Sequence, residues 1–99
     1  YGLRCANVFH AGDGNLHPLI LFDANDPEQV KHMEEAVAEL FQLAVDLSGT
    51  LTGEHGIGIA KAPFMRLEHD ENALWAMRAL KQALDPNNIL NPGKMALED

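Results

Sequence analysis

Two apolar, β-forming stretches, residues 3–9 and 16–22, flank the pair Asp13-Gly14. An Asp-Gly pair between two such runs signals a hairpin, because both central residues of a type I′ turn need positive φ. Centring the turn there pairs residues whose numbers sum to 27, so that His10 faces His17, Val8 faces Leu19 and Ala6 faces Leu21. Directly opposed side chains share one face of the ribbon, with Cβ atoms roughly 4.5–5.5 Å apart. Gly12 leaves room for a wider loop.

Beyond residue 22 the apolar period changes. Val30, Met33, Val37, Leu40, Phe41, Ala44 and Leu47 recur in steps of three and four, which predicts one stripe of an amphipathic helix. Its start carries Asp26 as a cap, Pro27 at the first helical position and Gln29 to complete a capping box. Gly49 supplies a C′ stop. Residues 49–61 hold four glycines and no helical period, so they form a loop with freedom for close backbone approach. A second helix runs from about Asp70 to Leu84 through Leu74, Met77, Leu80 and Leu84, with Trp75 widening its apolar face and Asp85-Pro86 ending it. Residues 87–94 contain one proline and a glycine, hence an extended or turning tail. The order strand, strand, helix, loop, helix, tail predicts an α+β fold, an antiparallel sheet with helices on one face.

Ninety-nine residues suit one domain. The chain opens at Tyr1 and enters a strand-like run at once, which predicts a fragment whose N-terminal part lies outside it. A net charge of −8 argues against nucleic acid, since phosphate binding needs clustered Lys and Arg. Cys5 lies in an apolar run and reads as a buried, inert thiol. No apolar stretch approaches the roughly 18 residues that cross a bilayer, and no signal peptide is visible. This composition predicts a soluble, cytoplasmic protein.

The chemistry concentrates in two glycine-flanked segments, His10-Ala-Gly-Asp-Gly-Asn-Leu-His17 and Gly53-Glu54-His55-Gly56. Imidazole and carboxylate are the ligands that a borderline ion such as Zn²⁺ accepts, and a catalytic site needs three with one position open. Three His and one Glu fit such a site with a base to spare. The alternative is a pair of unrelated polar surface loops. Glu54 and His55, adjacent on an extended segment, would point to different sides, one towards a metal and the other towards substrate. An imidazole titrates near about 6.5, which suits proton abstraction. His32 and His69 lack such company and read as surface residues, while Met33, Met65, Met77 and Trp75 read as core. The Gly56-Ile-Gly58 pair lacks the strand and third glycine of a dinucleotide site.

Three stretches together resemble one family. Val8-Phe-His10-Ala-Gly-Asp-Gly-Asn-Leu-His17, Gly49-Thr-Leu-Thr-Gly-Glu54-His55-Gly-Ile-Gly58 and Leu84-Asp-Pro-Asn-Asn-Ile-Leu-Asn91-Pro-Gly-Lys94 are similar to the C-terminal end of the FAD-linked oxidases. That family includes the glycolate oxidase FAD subunit, D-lactate dehydrogenase and D-2-hydroxyglutarate dehydrogenase. His17-Pro-Leu19 resembles the glycolate oxidase branch most, whereas relatives acting on 2-hydroxyglutarate carry Asn at the place of Leu19.

The resemblance implies that residues 1–99 are the C-terminal part of a substrate domain with a ferredoxin-like α+β design. An N-terminal FAD-binding domain would lie outside the chain and hold most of the FAD. The resemblance also implies metal ligands at His10, His17 and Glu54, with a divalent metal, zinc, as the ion. It implies a catalytic base at His55 and a flavin contact at Asn91. The implied partners are a small 2-hydroxy acid substrate, the FAD domain, a second flavin-type subunit and an iron–sulfur subunit, with peripheral attachment to the inner face of a membrane through them. The implied reaction oxidises glycolate or a D-2-hydroxy acid to the 2-oxo acid. In it the metal binds the substrate, His55 takes the hydroxyl proton and hydride passes to FAD. The 99-residue chain alone is then expected to be inactive. Two other readings of the same residues are a metal-dependent hydrolase and a non-catalytic metal-binding or interaction module.

Overall fold

The structure is a computed structural model and describes residues 1–97. It is α+β, in two compact units, Tyr1–Leu43 and the residues from Ala44 onward. The first unit holds a two-stranded antiparallel sheet of β1 (Arg4–His10) and β2 (Asn15–Leu21), followed by most of α1 (Pro27–Asp46).

The strands stop within a residue of the ends that the apolar pattern predicts, but the turn differs. Residues 11–13 form one turn of 3-10 helix and only Gly14, at φ 68°, adopts the left-handed conformation. Gly14 N–H donates to the Ala11 carbonyl at 3.3 Å. A four-residue loop built on a helical turn therefore replaces the two-residue type I′ turn, because Gly12 adds length that a primed turn has no place for. Pairing follows the loop: His10 lies opposite Asn15, Val8 opposite His17, Ala6 opposite Leu19 and Arg4 opposite Leu21. Cys5, paired with Ile20, is exposed, in contrast to the buried thiol expected from its apolar neighbours. A two-stranded ribbon covers neither face by itself.

α1 starts as its sequence predicts and is capped differently. The Asp26 carboxylate accepts the Glu28 N–H at 3.0 Å, leaving Pro27 where no amide is needed. Gln29, however, reaches past Asp26 and accepts the Asp23 N–H at 2.7 Å. The Asp26 amide already donates to the Asp23 carbonyl, so the capping-box partner is unavailable to Gln29. Tyr1, ahead of β1, lies on this helix with its ring 6.0 Å from that of His32, and its hydroxyl hydrogen-bonds Glu39. His32 is accordingly half-buried. Along the predicted stripe Val30, Met33, Val37, Phe41 and Ala44 are half-buried, while Leu40 and Leu47 are exposed.

The helix ends in a Schellman motif. Gly49 N–H donates to the Ala44 carbonyl at 2.7 Å and Ser48 N–H to the Val45 carbonyl at 3.0 Å. The left-handed C′ residue is Ser48, at φ 64°, and Gly49 is the next one along. Glycine is needed there for space: a Cβ on Gly49 would stand 2.9 Å from the Ala44 carbonyl oxygen.

In the second unit Leu51, Met65 and Leu74 are buried and form the core. Residues 52–61 carry no strand or helix, as their glycines predict. A 3-10 turn (Ala62–Phe64), entered through Pro63, leads into the single-turn α2 (Met65–Glu68), which the apolar period was too short to reveal. His69 is extended and separates α2 from α3 (Glu71–Leu84), and Arg66 and Glu71 form an ion pair across that junction. Asp70 caps α3 by accepting the Ala73 N–H at 2.8 Å.

The covered face of α3 runs through Leu74, Met77, Arg78 and Lys81, continuing to Asp85. Trp75 stands about 100° round the helix from Leu74 and is 69 % exposed, so it does not belong to the core of this unit. Leu80 and Leu84 are exposed as well. After α3 the chain turns repeatedly, with Asn88, Asn91, Gly93 and Met95 all at positive φ. The Met95 N–H donates to the Gly58 carbonyl at 2.7 Å, which ties this tail to the glycine-rich loop.

Candidate functional site

The hairpin places its histidines by strand alternation. His10 ends β1, and His17 stands two residues beyond Asn15, the residue opposite His10. The observed pairing sums to 25 where 27 was expected, and a shift of two residues leaves every side chain on the face predicted for it. His10 and His17 therefore lie on one face of the ribbon, diagonally rather than directly opposed, at roughly 7–8 Å. Both are exposed at the mouth of the turn, with Val8 and Leu19 on the same face.

Glu54 and His55 sit on a bend in the second unit. The bend is ordered locally by the Gly56 N–H, which donates to Thr52 Oγ1 at 2.8 Å, while Gly56 itself takes φ 79°. The two side chains do not diverge as they would on an extended segment. His55 Nε2 is 4.0 Å from Glu54 Oε1, and the side chains are 70 % and 50 % exposed. The backbone turns between them, which brings an imidazole and a carboxylate to one place.

Two charged side chains engage the root of this loop. At Leu51 the N–H donates to Glu68 Oε2 at 3.4 Å and the carbonyl accepts from Lys61 Nζ at 3.1 Å. His69 Nε2 lies 3.5 Å from the same Glu68 oxygen, so His69 is half-buried rather than a surface residue. Motif reading passes over Thr52, Lys61 and Glu68. The available signal was a single lysine closing a glycine-rich stretch, followed by a carboxylate seven residues on.

Asn91 is exposed, at φ 45°, on the tail beyond α3. The tail is anchored by Asp85, whose carboxylate accepts the Ile89 and Leu90 amides at 3.0 and 2.9 Å and pairs with Lys81. The Lys81 ammonium, followed by these amides, lowers the Asp85 pKa to about 2.

By chemistry the imidazoles of His10 and His17 and the carboxylate of Glu54 suit a divalent ion, two nitrogens and an oxygen being an ordinary zinc donor set. Within either unit, among the described residues, no three such side chains gather: the hairpin contributes two histidines, and the loop contributes a carboxylate and a histidine. The carboxamide of Asn91 is donor and acceptor together, which fits the polar edge of a flavin ring. Among the described residues no helix is long and apolar enough to cross a membrane.

Comparison with known proteins covers nearly the whole chain. Residues 1–95 match the family model described as FAD linked oxidases, C-terminal domain. The chain is 46 % identical over 99 residues to the glycolate oxidase subunit GlcD of Bacillus subtilis, covering all of this chain and 21 % of that protein. It is 49 % identical over 94 residues to the glycolate oxidase subunit GlcD of Escherichia coli K12, covering 95 % of this chain and 19 % of that one. It is 42 % identical over 93 residues to the mitochondrial D-lactate dehydrogenase (cytochrome) of Arabidopsis thaliana, covering 94 % and 16 %. The chain thus spans about a fifth of the length of these relatives.

Proposed function

We propose, for a chain that belongs to the FAD linked oxidases through their C-terminal domain, that the whole protein oxidises glycolate or a small D-2-hydroxy acid to the 2-oxo acid. The observation that carries this reading is identity of 46 % over all 99 residues to a glycolate oxidase subunit. Leu19 supports a small substrate, since it adds an apolar side chain to the face that carries His10 and His17.

In this reading His10, His17 and Glu54 hold a divalent ion, zinc, and Asn91 contacts the FAD. When bound, the ion supplies Lewis acidity and the flavin a two-electron acceptor. His55 takes the proton of the substrate hydroxyl as general base. Glu54, 4.0 Å away, steadies the imidazolium that results. The exposure of both side chains leaves room for a carboxylic acid of few carbons to reach them. The GlcD relatives are named as subunits, which supports assembly with further chains; a second flavin-type subunit and an iron–sulfur subunit are the partners of this reading.

The test is made on the full-length protein that contains these residues. Its absorbance spectrum and metal content are measured, and a panel of hydroxy acids is assayed with an artificial electron acceptor. A flavin spectrum, about one divalent ion per chain and turnover of glycolate or D-lactate are the results expected. A colourless protein that hydrolyses esters or amides would replace this reading with a metallohydrolase.

A further inference from the structure

Glu54 and His55 owe their placement to a loop with little core of its own. Residues 53–56 are exposed; within the loop the Gly56 N–H donates to Thr52 Oγ1 and the Lys61 N–H to the Ile57 carbonyl, and the Met95 N–H donates to the Gly58 carbonyl. What is buried is the root. Leu51 is 4 % exposed, packed into the core with Met65 and Leu74, and its peptide is engaged on both sides by charged groups. Lys61 stands ten residues on, at the far end of the loop, and its ammonium donates to the Leu51 carbonyl. Glu68, on α2 beside Met65, accepts the Leu51 N–H with a side chain only 18 % exposed.

We infer that Lys61 and Glu68 are positioning residues for Glu54 and His55, fixing the direction in which the loop leaves the core. Several observations converge on this. Both groups are charged, and the shorter of the two bonds, from the Lys61 ammonium at 3.1 Å, gains from the ionised donor. The bond from Lys61 joins the two ends of the loop, so it closes the loop besides anchoring it. The engaged peptide is three residues from Glu54, too close for an error in its orientation to be absorbed. A displacement of about 1 Å at a reacting group costs up to roughly 100-fold in rate. The inference rests on the proposed roles of Glu54 and His55.

The experiment uses the full-length protein with Lys61→Met, Lys61→Arg and Glu68→Gln. Amide hydrogen exchange over residues 52–60 is measured beside kcat, KM and metal content. Lys61→Met is expected to speed exchange across the loop roughly tenfold and to lower kcat by roughly 10- to 100-fold, with KM little changed. Lys61→Arg restores most of both, because a guanidinium also reaches the carbonyl. Glu68→Gln, which keeps an acceptor oxygen and the side-chain shape, shows the same changes at smaller size. Faster exchange with unchanged kcat would overturn the inference, leaving the clamp as a loop closure without catalytic consequence. Unchanged exchange in both Lys61→Met and Glu68→Gln would overturn it at its base. Absence of any hydroxy-acid turnover in the wild-type protein would instead overturn the proposed function, and the exchange rates alone would then decide whether the clamp orders the loop.

Discussion

Lys81 and Asp85, one helical turn apart at the end of α3, form an ion pair whose carboxylate also accepts the amides of Ile89 and Leu90. The helix thus ends on a side chain that turns the chain back, and the lysine donates onward to the Leu90 carbonyl. Every one of these partners favours the ionised carboxylate, and the pKa of Asp85 is lowered to about 2, mainly by Lys81.

A pH dependence follows from that direction. The folded chain binds the Asp85 proton less readily than the unfolded chain, in which an aspartate titrates near about 3.9. Stability from this group is therefore complete above about pH 4 and is lost as pH falls towards 2. Carbon-detected NMR should place the Asp85 midpoint near 2, with the Ile89 and Leu90 amide shifts following the same curve. A midpoint near 4 would show that the cap does not hold. Asp85→Asn should narrow its stability gap to wild type as the pH is lowered through this window.

The neighbours Glu54 and His55 separate into different phenotypes in the full-length protein. Glu54→Gln removes the anionic ligand of the proposed ion site, so metal content and activity should fall together and added metal should partly restore both. His55→Ala should keep its metal while turnover falls by something on the order of 10²–10⁴. Raising the pH should partly rescue the His55 variant, since solvent base then replaces the imidazole. Metal stoichiometry beside turnover decides the matter, and loss of metal in His55→Ala with retention in Glu54→Gln would reverse the two roles.

At the end of α1 two adjacent residues respond in opposite directions. Gly49→Ala places a methyl group 2.9 Å from a backbone oxygen that cannot swing aside, and it should destabilise by roughly 1–3 kcal/mol. Ser48→Gly relieves a left-handed backbone at φ 64° and should stabilise by roughly 0.5–1 kcal/mol. Denaturant unfolding of both variants checks this, and a stabilising Gly49→Ala would contradict the Schellman geometry.

The small core of the second unit makes Leu51 sensitive. Leu51→Ala should cost about 2–5 kcal/mol, as buried leucine truncations do. It should also loosen the Glu54 loop, since Leu51 is the buried residue at the loop's root. Unfolding midpoints and amide exchange over residues 52–60 measure the two effects separately.

What the sequence made legible was whatever depends on period and punctuation. Strand alternation, the start of α1 at Asp26-Pro27 and the start of α3 near Asp70 are local, and they were readable to within a residue. The turn was missed because Gly12 makes two loop lengths compatible with one motif. The exposure of Cys5 and Trp75 was missed because an apolar neighbourhood in sequence does not say which side of an element is covered. For the candidate site, the two histidine-bearing segments stood out through their glycines. Lys61 and Glu68 did not, because they act on a backbone peptide rather than on another functional side chain, and no motif marks such a contact.

Side chains along a strand alternate, so β2 can slide along β1 by two residues without turning His17 away from His10. Each such slide moves the strand by roughly 7 Å, and it must be accompanied by a matching change in the length of the turn. The histidine hairpin is therefore a gauge with discrete settings. Residues 10 and 17 can be brought opposite one another or set one step apart, with the same donors on the same side. Intermediate settings do not exist, since a slide of one residue would present one imidazole to each face. Changing the separation of the two imidazoles is thus a matter of adding or removing residues in pairs at the turn, with the strands themselves left as they are.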